Sequence, residues 1–263
     1  MKLTGLILGI MALFYSAAMP AQEAKPIKAL MVCGGCCHDY ENQKKIVADF
    51  ISARANVVFD VVHEGGTTRE HKVSIYSKPD FWKNYDVIIH NECFGQVNDV
   101  AFVEAISNAH LVHGVPAVML HCSTHSYRAA KTEAWRETLG ITSTYHEKNR
   151  DLTIRTVGKE HPIMRGVPAT WSDPKDELYV AAKFWPSATP LAVAYGEDTK
   201  KDHPVIWLNN AGKAKVFATT LGHNNSTMQN AVFQEIVARG LLWAVGKLGP
   251  DGNPVPGYEP VKK

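Results

Sequence analysis

The chain has 263 residues, of which 45% are hydrophobic and 21% charged, and its formal net charge is +2. That is ordinary globular composition, enough for one large domain or a domain with an insertion. Lysines and arginines are scattered, and no basic block or aromatic–basic interleaving is present, so no nucleic-acid partner is expected.

Residues 1–18 read as a secretory signal peptide, with cleavage as late as residue 24. Lys2 supplies the positive start, Leu3–Tyr15 the apolar run and Ser16-Ala17-Ala18 the small residues for cleavage. The apolar run is short for a bilayer span, which takes about 20 residues. No other segment reads as a span, so no stable membrane insertion is expected, and the mature chain is expected to be exported, periplasmic or secreted. The folded domain is placed at residues 26–248 and a surface tail at 249–263.

Ile27–Val32 reads as a buried strand, followed by a tight loop Cys33–Tyr40. Glu41–Ala53 has helical periodicity, with Ile46, Val47, Phe50 and Ile51 on one face. Val57–Val62 is a second strand, and a longer loop carries His71, Tyr76, Phe81 and Trp82. Asp86–His90 is a third strand, Val97–Val112 a helix, Pro116–Leu120 a fourth strand and Trp135–Leu139 part of a short helix. Strands alternating with helices predict βαβ units and a parallel sheet. The second half changes rhythm. Leu152–Val157, Thr189–Ala194, Val205–Leu208 and Lys215–Thr220 read as strands without full helices between them, and Thr227–Lys247 as the last helix. The predicted fold is α/β, a flavodoxin-like three-layer sandwich with a mainly parallel sheet and added antiparallel strands.

Four histidines follow these strands: His38, His90, His121 and His223. In open α/β sheets the ligand crevice lies beyond the carboxyl ends of the strands, and imidazoles there can bind metal or move protons near neutral pH. His38 precedes a helix start that Asp39 caps or, alternatively, Asp39 contacts substrate. In His121-Cys122-Ser123-Thr124-His125, His121 and His125 are candidate catalytic groups, and Ser123, Tyr127 and Arg128 candidate substrate-binding groups. Glu177, in Asp176-Glu177-Leu178-Tyr179, is a candidate general acid or base.

The five cysteines are Cys33, Cys36, Cys37, Cys93 and Cys122. Export permits disulfides, and an odd count leaves at least one thiol free or paired between chains. The vicinal pair Cys36-Cys37 can bond to Cys93 or Cys122, or all can be small buried apolar residues. Catalytic thiol chemistry is the weaker reading.

The first-strand loop ending in His38-Asp39, together with Leu120-His121-Cys122-Ser123, His161-Pro162-Ile163, Asp176-Glu177-Leu178-Tyr179 and Thr220-Leu221-Gly222-His223, resembles the ThuA-like (trehalose utilisation) family from about Pro26 to Leu248. That family is similar in fold to class I glutamine amidotransferases. The amidotransferase nucleophile needs a Gly-x-Cys-x-Gly elbow, whereas Met119-Leu120-His121-Cys122-Ser123 puts histidine there, so glutaminase chemistry is not expected. The resemblance implies chemistry on an oxidised (3-keto) glycoside, with proton abstraction beside the carbonyl and elimination of the anomeric substituent. His38, His121 and His223 are the candidate ligands of a divalent metal such as zinc, which suits imidazole. No nucleotide cofactor is expected, the partner is a small carbohydrate, and a homo-oligomer is left open. The rival readings are a metal-dependent hydrolase or isomerase on unoxidised sugars and a non-catalytic sugar-binding module.

Overall fold

A computed structural model of the chain describes residues 25–261, so the leader reading lies outside the described residues. The chain builds β1 (Ile27–Gly35), α1 (Tyr40–Ser52), β2 (Val57–His63), β3 (Val87–Cys93), α2 (Val100–Leu111), β4 (Ala117–Leu120) and α3 (Ala134–Leu139) in sequence. Then follow β5 (Ile141–His146), β6 (Arg150–Thr156), β7 (Thr170–Asp176), β8 (Tyr179–Phe184), β9 (Ala188–Gly196), β10 (Lys201–Ala211) and β11 (Ala214–Thr219), before α4 (Asn225–Met228) and α5 (Ala231–Ala244).

Nine strands form one sheet in the order β2-β1-β3-β4-β11-β10-β9-β6-β7. The first five of that order are mutually parallel. From β10 outward every pairing is antiparallel. The change of rhythm in the second half thus corresponds to the change of strand direction. β5 and β8 pair separately, antiparallel.

Leu30, Met31 and Val32 are all fully buried although they are consecutive. A strand covered on both faces needs such an unbroken apolar run, because neighbouring side chains point to opposite layers. On one face Met31, Ile89, Val118 and Phe217 pack against Val47 and Ile51 of α1 and Val237 and Leu241 of α5. On the other, Leu30, Ile88 and Met119 pack against Val103 and Ile106 of α2 and Trp135 and Leu139 of α3. Gly240 sets the approach of α5 to the sheet: a Cβ there would lie 2.3 Å from the Phe217 ring.

Several elements depart from the sequence expectation. β1 runs on to Gly35 and β3 to Cys93, beyond the Val32 and His90 read as their ends. The last helix is two helices, because the Asn230 side chain accepts from the backbone N–H of Val232 and caps a new start at Ala231. β5, β7 and β8 were not legible. β7, Thr-Trp-Ser-Asp-Pro-Lys-Asp, has no clean alternation and contains Pro174. It lies at the edge of the sheet, where a missing N–H is tolerated. Among the described residues no helix is long and apolar enough to cross a membrane.

Candidate active site at the carboxyl rim of the sheet

His38 follows β1, His121 follows β4 and His223 follows β11, so the parallel strands deliver all three to one rim. His121 turns the chain in the left-handed region at φ 42°, an unusual conformation for a residue with a Cβ. The ring centroids are 4.6 Å apart for His38–His121, 5.0 Å for His38–His223 and 5.5 Å for His121–His223. One nitrogen from each falls within 4.8 Å of the others.

Backbone carbonyls fix two of the tautomers. A carbonyl only accepts, so His121 Nδ1 donates to Thr220 O at 2.5 Å, and His38 Nδ1 donates to His223 O at 3.3 Å. Each neutral ring then presents an unprotonated Nε2, as metal-bound imidazoles do. Burial pushes His38 down to about 3, with the charges of His121 and His223 adding to the effect.

Glu177 stands at the centre of the cluster. Its Oε2 is 3.4 Å from His121 Nε2, and its Oε1 is 3.4 Å from His223 Nδ1 and 3.6 Å from His146 Nε2. Burial opposes ionisation of this carboxyl, but the adjacent His121 and His223 side chains outweigh it and hold Glu177 well below the usual carboxylate range. The same carboxylate raises His223 against the effect of burial.

A neutral His121 would aim the lone pair of Nε2 at a carboxylate oxygen 3.4 Å away. Two acceptors at that distance call for a proton or a cation between them. His223 Nδ1 faces Glu177 Oε1 at 3.4 Å without a well-formed hydrogen bond, and a coordinated cation would satisfy both. The three imidazoles therefore fit a divalent first-row metal by chemistry and by orphaned donor atoms.

Asp176, fully buried, ties the segments together. Its Oδ1 accepts from the N–H of Glu177 at 2.7 Å, and its Oδ2 from the N–H of Gly222 at 2.9 Å. Tyr179 brings its hydroxyl to 3.4 Å from His121 Nε2, and its ring stacks on His125 at 3.9 Å. His125 donates from Nε2 to Ser143 Oγ at 3.0 Å, because that hydroxyl spends its own hydrogen on Tyr145 O at 3.2 Å. Burial pushes His125 down to about 2, aided by the nearby Arg128 charge, so the ring is neutral. His38, His125, His146, Glu177, Tyr179 and Arg128 line a cavity of about 260 Å³. A larger cavity of about 610 Å³, beside Ile27, Lys28 and Tyr258, opens at the opposite end of the strands and contains no histidine. The imidazole–carboxylate cluster lines only the smaller one, which is therefore the candidate active site.

Not every predicted site residue arrives. Tyr127 is buried and turned away, its hydroxyl 3.3 Å from Glu92 and its ring against Trp135. Ser123 is fully buried in the same layer and does not line the cavity. The reason is the short 3-10 turn His121–His125, whose three-residue repeat puts Cys122 and His125 on the cavity side and Ser123 away from it. Asp39 caps α1 at the N–H of Asn42 and bonds Asn225 at 2.8 Å, at the mouth beside His38. His90 does not join the other strand-end histidines. β3 continues past it, leaving it buried between Glu92 Oε1 at 2.8 Å and His110 Nε2 at 3.1 Å. His146, Tyr179 and Asp176 were missed as site residues. The last two lay within the quoted Asp-Glu-Leu-Tyr segment, whereas His146 sits on the unread β5.

Fold and site together define a flavodoxin-like α/β domain with an imidazole–carboxylate cluster at the carboxyl rim of its parallel strands. The family profile described as ThuA, trehalose utilisation, matches residues 28–244, and the chain belongs to that family. A ThuA-like protein from Parabacteroides merdae is similar in structure, with TM-score 0.68 and 18% identity over 89% of this chain and 97% of that one. A second, from Bacteroides uniformis, has TM-score 0.64 and 18% identity over 90% of this chain and 99% of that one. A β-galactosidase from Rahnella sp. R3 shares the fold at TM-score 0.53 and 15% identity, over 82% of this chain and 31% of that one. Among curated proteins none matches.

Proposed function

We propose that the protein is a carbohydrate-active enzyme that cleaves a 3-keto glycoside, with Glu177 as the base. The observation that carries this reading is one carboxylate set among His121, His146 and His223 at 3.4 to 3.6 Å. A carboxylate that opens on a cavity and is flanked by imidazoles is placed to exchange a proton with a bound substrate, which is the first requirement of a general base. The cavity, about 260 Å³, is smaller than the roughly 300–1,000 Å³ of drug-sized sites, which suits one sugar ring rather than a long oligosaccharide. Membership of a trehalose-utilisation family supports the sugar.

A ketone at C3 acidifies the hydrogen on C2. Glu177 takes that proton, and the C–H electron pair moves into an enolate. The enolate collapses to a C1–C2 double bond as the C1–O bond breaks, and the proton held by Glu177 passes to the departing oxygen. Addition of water at C1 completes a net hydrolysis. His38, His121 and His223 would hold a divalent metal, whose charge favours the enolate. His125, neutral and stacked on Tyr179, forms an apolar and polar wall for the ring, and Arg128 at the rim offers donors to its hydroxyls.

The test compares a methyl glucoside with its 3-keto form on the wild type and on Glu177→Gln. The expected result is product from the keto form alone and a loss of about 100-fold or more in Glu177→Gln, the scale of general-base catalysis. Equal turnover of the unoxidised glycoside would point to a hydrolase acting without the ketone. Saturable binding with no product would point to a sugar-binding module.

A further inference from the structure

Four of the five cysteines crowd one wall of the cavity. Cys36 is bonded to Cys37 and Cys93 to Cys122. The two disulfides touch, with Cys36 Sγ 3.8 Å from Cys93 Sγ. They come from three separate strand ends, β1, β3 and β4, which is more convergence than two independent staples need. The sulfurs of Cys36, Cys37 and Cys93 all lie within 4.8 Å of one another, and Cys93 and Cys122 lie equally close to a ring nitrogen of His38. All four cysteines line the cavity.

Arg69 completes the arrangement. Its Nε points at Cys36 Sγ at 3.2 Å and its Nη2 at Cys37 Sγ at 3.7 Å. A guanidinium aimed at two sulfurs contributes little to a disulfide, which carries no charge. Beside thiolates it would offset their negative charge.

We propose that reduction of these two disulfides converts the wall into a thiolate site for a soft cation, with Cu(I) as the fitting ion and Cys36, Cys37 and Cys93 as its principal ligands. Each disulfide takes two electrons from a thiol or phosphine reductant, gains two protons and becomes two thiols; a thiol reductant supplies the protons itself and leaves as its disulfide. With a phosphine, water supplies the protons and the phosphine leaves as its oxide. Binding the ion releases one proton for each thiol that becomes a thiolate ligand. Thiolates select Cu(I) over the harder divalent ions that suit imidazole and carboxylate. The three-imidazole group and the sulfur wall thus differ in softness and share only His38, so the redox state of the wall decides which kind of ion the cavity takes.

The experiment uses the folded chain, oxidised or phosphine-reduced under argon and freed of reductant, equilibrated with Cu(I) against a chromogenic Cu(I) chelator. The oxidised protein is expected to retain no sulfur-bound copper. The reduced protein is expected to retain one equivalent, lost in Cys93→Ser and in Cys36→Ser but kept in His121→Ala. Copper-edge X-ray absorption of the reduced wild type is expected to show sulfur neighbours, a readout that needs no variant to fold. Equal retention by oxidised and reduced protein, or a reduced-state spectrum with nitrogen and oxygen neighbours only, would overturn the proposal.

Discussion

Asp176→Ala removes the residue that holds the two halves of the site in register. The carboxylate is fully buried and accepts from the backbone N–H groups of Glu177 at 2.7 Å and Gly222 at 2.9 Å. Alanine leaves both donors without their side-chain acceptor. Each buried unsatisfied group costs about 1–3 kcal/mol, so the expected loss is roughly 2–6 kcal/mol. Part of this is returned, because Asp176 also raises its neighbour Asp173, second only to burial as a cause. The net loss is therefore set toward the lower half of that range. Asp176→Asn keeps one carbonyl acceptor and should lose about half as much. Urea unfolding at pH 7, with ΔG from the midpoint and slope, measures both. A loss below about 1 kcal/mol in the alanine variant, under the cost of even one orphaned donor, would refute the reasoning.

Burial, followed by the charge of Asp176, raises Asp173 from 3.8 to about 8. The folded chain therefore keeps a proton that the unfolded chain has released across this window, and stability falls as pH rises through it; the midpoint in urea at pH 5 should exceed that at pH 8.5, and Asp173→Asn should flatten the difference. Gly35→Ala would put a Cβ 2.4 Å from the carbonyl oxygen of Cys93, at φ 97°, so it should cost several kcal/mol by strain and overpacking, roughly 2–4, read as a lower thermal midpoint. Metal analysis of the chain purified without a histidine tag should find near-stoichiometric zinc or a similar ion that is lost in His121→Ala, with fold retained by circular dichroism.

The parallel half of the sheet was legible because its strands are buried on both faces. Runs such as Ala29–Val32 and Val87–Ile89 are apolar without a break. The site was legible for the same reason: a histidine straight after a buried strand has only the rim to occupy. His90 shows where that logic stops. Its strand carries buried polar residues, His90, Asn91 and Glu92, beyond the apolar run, so a residue that looked like the end lies inside. Tyr127 and Ser123 were placed by proximity to His121 along the chain, but the 3-10 turn that carries Ser123 and the left-handed Tyr127 at φ 58° direct them into the core. The antiparallel edge was the least legible part. β5 and β7 are half-exposed and polar, and β5 pairs with β8, some way along the chain, so no local pattern marks His146 as a neighbour of Glu177.

The most direct test of the account is turnover of a 3-keto glycoside carrying deuterium at C2, beside the same compound with hydrogen. Removal of that proton by Glu177 predicts slower cleavage of the deuterated compound and no cleavage of the parent glycoside. Equal rates for the two isotopologues, together with cleavage of the unoxidised sugar, would contradict it.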